Sequence, residues 1–317
     1  MMPIDYRNLG RLVSPEDAGT RVDLFLGKNF LFLSRTEWSR RLDKQEVFVN
    51  SRPVKPSYRL RENDKICYFA PPSREPLVDG NIEVLWRKGG IIGVYKPPNL
   101  PMHEGGAYRN NTFYEVLRNK IGPEWAAVHR LDRETSGIVL CANDKSLRNS
   151  LSAELRERTM EKVYYAIVNG VPKQKSWIID KPIGSAEDTS FRYKNWVNVA
   201  GAPAWTEFAV EDYCERFSLL KVFPKTGRTH QIRVHAAWAG LHLVGEKKYH
   251  PDESIYLEYL DQGFTARVAT ACHFERLCLH AFSIKFRNPT DGSTCKVEVP
   301  IPDDMKEIWN RLKNQYQ

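Results

Sequence analysis

No run in this 317-residue chain approaches the ~18 apolar residues of a membrane-spanning helix. Its first ten residues contain no apolar segment of the kind a secretory signal needs. A membrane anchor and a secreted product are both unexpected. Cysteine pairs at C-x-x-C spacing are missing too. The six cysteines, Cys67, Cys141, Cys214, Cys272, Cys278 and Cys295, are too scattered for a disulfide framework. Cys272, His273, Cys278 and His280 match no zinc spacing, and the later pair lies in a strand-like run where alternate residues face opposite ways. Buried thiols in a reducing compartment are expected instead. There is no internal repeat or low-complexity tract, which argues against a solenoid or a disordered array.

What is present is the composition of an ordinary globular protein, 42% hydrophobic and 27% charged, with enough apolar residues for one large unit and one small. The formal net charge is +8. A basic balance favours polyanions, because each Lys or Arg that meets a phosphate releases a condensed counterion. Many basic proteins bind no nucleic acid, so charge alone decides little.

Residues 19–70 read as a small α+β module. Thr20 is placed to cap a helical start at Val22, Leu24, Phe25 and Leu26. A second helix fits residues 34–42, with Ser34 as cap, Glu37 completing a capping box, and Trp38 and Leu42 sharing a face. Arg35, Arg40, Arg41 and Lys44 are left for its surface. Short strands fit 47–49 and 65–69. This order, with Val22-Asp23-Leu24-Phe25-Leu26, Ser34-Arg35 and Val47-Phe48-Val49-Asn50, resembles the α-L RNA-binding motif of a small-subunit ribosomal protein and many RNA enzymes. The resemblance implies that the Ser-Arg helix and its four cations lie on an RNA backbone. Where that motif usually has glycine before its first strand and after its Asn, this chain has Glu46 and Ser51, so local turns are expected to differ. The proline-rich connector Pro71-Pro72-Ser73-Arg74-Glu75-Pro76 divides an RNA-binding domain, 1–75, from a larger domain, 76–317.

In the larger domain, strand-like runs at 82–86, 91–95, 138–141, 163–168, 205–210, 218–222, 277–286 and 296–299 outnumber helical candidates at 112–120, 145–157 and 231–239. Many strands with few helices between them predict an α+β fold on a mixed, largely antiparallel sheet.

Two polar stretches carry the chemistry. Val128-His129-Arg130-Leu131-Asp132-Arg133-Glu134-Thr135-Ser136-Gly137 packs ionisable residues between apolar runs, costly to bury unless they pair with one another or a ligand. A surface turn laced with salt bridges is the plainer alternative. Thr226-Gly227-Arg228-Thr229-His230-Gln231-Ile232-Arg233-Val234-His235 runs into a helix that Thr229 could cap, with free N–H groups suited to an anion. One carboxylate and one arginine on separate loops suit a carboxylate kept ionised at neutral pH.

These stretches, with Val94-Tyr95-Lys96-Pro97-Pro98, Glu161-Lys162-Val163-Tyr164 and Leu279-His280-Ala281, resemble the RluA-type family of pseudouridine synthases. The resemblance runs from about residue 82 to 299. It implies a catalytic cleft across the mixed sheet, with Asp132 as the essential aspartate and Tyr164 packing against uracil. Arg228 matches the arginine that pairs with the aspartate, with Arg233 as rival. Arg130 would fill the gap left by the extruded nucleotide, and Leu279 would lie beside the carboxylate. Lys96, Thr229, His230 and Gln231 are the remaining candidates for substrate contact. Val244-Gly245-Glu246 departs from the family, which usually has aspartate after that glycine; the expected effect is on a local turn.

The implied reaction isomerises uridine to pseudouridine in structured RNA, with large-subunit ribosomal RNA expected and transfer RNA the alternative. No metal or cofactor is expected, and the protein is expected to be a cytoplasmic monomer. A non-catalytic RNA-binding or ribosome-assembly factor on the same fold is the competing reading. Joint retention of Asp132, Tyr164 and Arg228 speaks against it, since binding alone needs no such combination. A glycoside hydrolase would ordinarily need a second carboxylate, and only Glu134 is near in sequence.

Overall fold

The computed structural model describes residues 6–7, 12–30, 33–69, 75–187, 189, 191 and 194–317. The chain divides into two units, the first ending at Pro76 and the second running from Leu77 to Gln317 with Gly105–Ala107 excepted. Residues 71–74 of the connector lie outside the described residues.

The first unit contains β1 (Tyr6–Arg7), α1 (Val22–Asn29), α2 (Arg35–Asp43), β2 (Val47–Val49), β3 (Arg52–Pro53) and β4 (Ile66–Phe69), with an antiparallel sheet in the order β1-β4-β2-β3. Helix α2 starts with the expected capping box: Glu37 N–H donates to Ser34 Oγ at 3.2 Å, and Ser34 N–H donates to the Glu37 carboxylate at 2.8 Å. Helix α1 does not use Thr20 as its cap. Arg21 stands there without a side-chain cap bond, and the Thr20 carbonyl accepts from Leu60 N–H at 2.9 Å. Val22, Phe25, Leu26, Trp38, Leu42, Val47 and Val49 form the core. Buried Asp23 is gripped by Arg21 and Arg35, each at 3.0 Å, and Arg41 pairs with Glu46 at 2.8 Å. Two of the four cations expected on RNA therefore have partners within the unit. Arg40 and Lys44 make no ion pair among the described residues.

Between β2 and β3, Asn50 (φ 48°) and Ser51 (φ 65°) both occupy the left-handed region, and Val49 pairs with Arg52. This two-residue arrangement matches the right-handed twist of a hairpin. Ser51 thus stands in a conformation that glycine would favour, and bears the strain.

The second unit opens with β5 (Glu83–Lys88), β6 (Ile91–Lys96) and α3 (Phe113–Lys120), which Thr112 caps through Glu115 N–H. β7 (Ala126–Ala127) enters the loop carrying Asp132, and β8 (Ser136–Ala142) leaves it. Then come α4 (Lys145–Glu157), β9 (Glu161–Asn169), β10 (Ser176–Asp180) and a small pair, β11 (Ile183–Ser185) and β12 (Asn195–Val197). β13 (Trp205–Tyr213) and β14 (Phe217–Pro224) lead to α5 (Gln231–Trp238). α6 (Glu253–Gln262) and α7 (Ala266–Cys272) precede β15 (Leu279–Arg287), β16 (Thr294–Glu298) and α8 (Asp303–Gln315).

The sheet order is β10-β13-β14-β9-β15-β8-β6-β5, with β16 on β15 and β7 on β8. Among the described residues only the β8–β15 pair is parallel, so the sheet is mixed and largely antiparallel as expected. All seven residues of β8 are buried. Ile138, Leu140 and Ala142 pack on one face and Val139 and Cys141 on the other, so the strand that follows the Asp132 loop is clamped from both sides. Gly137 (φ 122°) is required there, since a Cβ would collide with the Ala281 backbone.

Candidate active site

The loop between β7 and β8 faces the turn between β14 and α5 across a cleft of about 600 Å³. Tyr164 of β9, Leu279 of β15 and the end of α4 complete its walls. Lys96 sits beneath the loop rather than in the cleft. Fully buried, it donates to the carbonyls of Pro97 and Leu100, both at 2.8 Å, and of Arg133 at 3.0 Å. Burial pulls its ammonium down to about 7, against the pull of Asp132. The expected substrate contact is thus a backbone anchor, with its three donors spent on three carbonyls.

Asp132 is the only carboxylate among the described residues lining the cleft. Burial pushes its carboxyl up, but neighbouring positive groups outweigh this and hold it below the usual range. These are His230, Arg233 and Arg130, and Arg233 alone adds a hydrogen bond to its charge. Its Nη1 donates to Asp132 Oδ2 at 3.1 Å, while Nε and Nη2 grip Glu246 at 2.7 and 2.8 Å. Glu246 is itself buried and also accepts from Tyr249 N–H at 3.1 Å. The expected pairing of Arg228 with Asp132 is not found. Arg228 lies before the helix and its Nε donates to the Pro203 carbonyl at 3.0 Å, whereas Arg233, inside the first turn of α5, points inward to the carboxylate.

His230 precedes α5 in the left-handed conformation (φ 57°). Its Nε2 lies 3.8 Å from Asp132 Oδ1, too far for a hydrogen bond, and its Nδ1 is 2.8 Å from the Tyr249 hydroxyl. Burial and the Arg233 charge push the imidazole down to about 4. It is therefore neutral near pH 7, which leaves the permanently charged Arg233 to hold Asp132 ionised. Burial keeps the Tyr249 phenol protonated, so it can donate to Nδ1; in that tautomer the His230 proton sits on Nε2, on the side of the carboxylate.

Two further expectations change. Thr229 does not cap α5: His230 takes that position, and no side chain closes it. Gln231 lines the cleft, but its amide is used up inside the protein. Oε1 accepts from Thr226 Oγ1 at 2.6 Å and Arg228 N–H at 3.0 Å, and Nε2 donates to Trp205 O at 3.0 Å and Thr206 Oγ1 at 2.9 Å. It fixes the turn rather than a ligand.

Tyr164 lines the cleft while adjacent Tyr165 packs edge-on against Phe282 on the opposite face, as strand alternation requires. Burial first, and the Asp132 charge second, keep the Tyr164 phenol protonated. Arg130, Arg156, Arg158 and Arg228 are exposed around the cleft, and Lys162 donates to Thr226 O at 3.2 Å. Burial pushes His129 down to about 4, and its Nε2 accepts from Leu140 N–H at 3.1 Å, which ties the loop to β8. Glu134 faces away, toward Lys247 Nζ at 2.7 Å and Leu277 N–H at 3.0 Å.

Sequence reasoning missed the parts played by Glu246 and Tyr249. The signal was present in Val244-Gly245-Glu246, where only a local turn was expected to change; Glu246 instead grips the arginine that holds Asp132.

One carboxylate held by arginine in a basic cleft, on a largely antiparallel α+β sheet, describes an enzyme for a polyanionic substrate. Comparison with known proteins narrows the class. The RNA pseudouridylate synthase family profile matches residues 90–238. The chain is 33% identical over 320 residues to ribosomal large subunit pseudouridine synthase C of Pasteurella multocida (strain Pm70), covering 96% of this chain and 93% of that protein. Its identity to the Escherichia coli (strain K12) protein of the same name is 31% over 319 residues, covering 95% and 96%. The solved structure of human RNA pseudouridylate synthase domain containing 1 aligns with a TM-score of 0.56 at 25% identity, covering 71% of this chain and 86% of that one. Human RNA pseudouridylate synthase domain containing 4 shares the fold, with a TM-score of 0.57 at 22% identity and coverage of 72% and 92%. The chain belongs to the RNA pseudouridylate synthase family and is an RNA pseudouridine synthase.

Proposed function

We propose that this protein converts uridines of large-subunit ribosomal RNA to pseudouridine, with Asp132 as its catalytic carboxylate. The substrate follows from relatives that match over nearly the whole chain and bear a ribosomal large subunit name. The observation that carries the role of Asp132 is its position as the lone carboxylate lining the cleft among the described residues, bonded by Arg233.

In the reaction the C1′–N1 bond breaks and the C1′–C5 bond forms. The proton on C5 is lost to solvent and N1 takes one up, so no net oxidation occurs. A carboxylate serves this chemistry at the sugar, by stabilising positive charge, by bonding covalently or by removing a sugar proton. Tyr164 and Leu279 give the uracil an apolar seat. Arg130, exposed at the rim, enters the space the base leaves and offsets part of an unstacking cost of a few kcal/mol. Arg156, Arg158 and Arg228 attract the flanking phosphates. The first unit adds affinity through Arg40 on α2 and Lys44 at its C-terminal cap. The protein acts as a cytoplasmic monomer, where its six free thiols remain reduced.

Mapping pseudouridine in large-subunit ribosomal RNA from cells with and without this protein tests the proposal. Defined sites should lose the modification when the protein is removed. Full retention at every site would sink the substrate assignment.

A further inference from the structure

Thr135 stands three residues beyond Asp132, at the end of the catalytic loop, where its N–H donates to the Asp132 carbonyl at 3.1 Å. It lines the same cleft and is 2% exposed. Its hydroxyl Oγ1 is buried and has no hydrogen-bond partner among the described residues. Two other buried polar side chains of this region are satisfied inside the protein: Gln231 of the cleft makes four bonds, and Lys96 beneath the loop makes three. A buried hydroxyl left unpaired is unfavourable, and in a site its partner is commonly supplied by a ligand or water.

We propose that the Thr135 hydroxyl is a substrate-binding group that donates a hydrogen bond to a carbonyl oxygen of the target uracil. The inference rests on the reading of the cleft as the uridine site and goes one step further, to a specific contact. Depth argues for the base. The Asp132 side chain is 20% exposed, whereas Thr135 is almost closed off. The ribose stays joined to the RNA through its phosphates and cannot go deeper than the base it carries. The more closed-off of these two lining residues therefore meets uracil, and uracil offers carbonyl oxygens at C2 and C4.

The contact has a consequence for the turn of the base. N1 and C5 are the two ring atoms beside C6, so replacing one by the other at C1′ amounts to a half-turn about the C6–N3 axis. That half-turn also exchanges O2 with O4. A single donor at one place can thus hold one carbonyl before the turn and the other after it. Thr135 would steady both the reactant and the product orientation while the base is detached.

The test compares Thr135→Val, which keeps the shape and removes the hydroxyl, with Thr135→Ser, which keeps the hydroxyl. The readouts are single-turnover tritium release from C5-labelled large-subunit ribosomal RNA transcript at saturating protein, and thermal unfolding of the free protein. Thr135→Val should slow release by about fivefold to twentyfold, Thr135→Ser by less than about threefold, and the valine variant should melt no lower than wild type. A valine variant within twofold of the wild-type rate overturns the contact. So does a rate loss that comes with a clear drop in melting temperature, because the hydroxyl would then serve the fold. Wild-type protein that releases no tritium overturns the uridine-site reading itself, and the inference with it.

Discussion

Arg233 and Glu246 are locked by two hydrogen bonds of 2.7 and 2.8 Å, leaving Nη1 of the same guanidinium to reach Asp132 at 3.1 Å. The fork uses up two directions of a planar group and so fixes the third. Helix α5 sets the arginine, the turn after Gly245 sets the glutamate, and together they aim a charge at the carboxylate.

The pH profile should report this arrangement. The carboxyl of Asp132 is held low, so activity that needs its ionised form persists well into the acid range. Arg233→Ala removes a permanent charge and a hydrogen bond that oppose burial, leaving Arg130 and, in acid, His230, which raises that pKa and moves the acidic limb of the profile to higher pH. Arg228→Ala should leave the limb where it is, because Arg228 bonds the Pro203 carbonyl instead. Single-turnover rates from pH 4 to 9 decide it; a limb that moves with Arg228 and not with Arg233 would reverse the assignment.

Glu246→Gln tests the buttress. Breaking a buried pair from one side costs about 3 kcal/mol, lowered here because Asp132 still meets the arginine. The expected outcome is a modest fall in stability on urea unfolding and a fall in kcat of about tenfold or more. RNA affinity should be nearly unchanged, since Glu246 does not line the cleft. Loss of affinity with kcat intact would remove Glu246 from the positioning role.

Local structure was largely legible where one segment carried its own signal. Helix α4 matches the expected 145–157, and the Ser34–Glu37 box and the strand 47–49 stand as read. The strand pattern also led correctly to a largely antiparallel sheet. Helix α8 went unread although Met305, Ile308, Trp309 and Leu312 repeat at helical spacing. In α6 the pattern is weak, with Leu257 and Leu260 exposed and only Ile255 buried. Site geometry was harder to read. Arg228 and Arg233 share one motif, and only the backbone turn at His230 decides which of them meets a residue about a hundred positions away. The separation of ligand contact from internal bonding, as at Lys96 and Gln231, depends on tertiary partners that no spacing reveals.

The first unit offers a test of division of labour. Arg35 and Arg41 are engaged with Asp23 and Glu46, so the double variant Arg40→Ala/Lys44→Ala should remove RNA contacts without unpairing a carboxylate. Affinity for ribosomal RNA measured across salt should give a log–log slope smaller by about 2, at ~0.9 per phosphate. Single-turnover rate at saturation should hold. An unaltered slope would make α2 a solvated face.

Ser51→Gly should stabilise the β2–β3 hairpin by about 1 kcal/mol, because a left-handed conformation is costly for serine and free of Cβ strain for glycine. Hydrogen exchange at the hairpin amides of the full chain is the measure. Faster exchange in the glycine variant would show that Ser51 contributes more than its strain costs.

Asp132 is the residue on which the chemistry depends. In Asp132→Asn the shape is kept and the carboxylate is gone, so tritium release from C5-labelled ribosomal RNA should fall to background. The Kd for the same RNA should stay within about tenfold, or ~1.4 kcal/mol. Release by the asparagine variant near the wild-type rate would contradict Asp132 as the catalytic carboxylate.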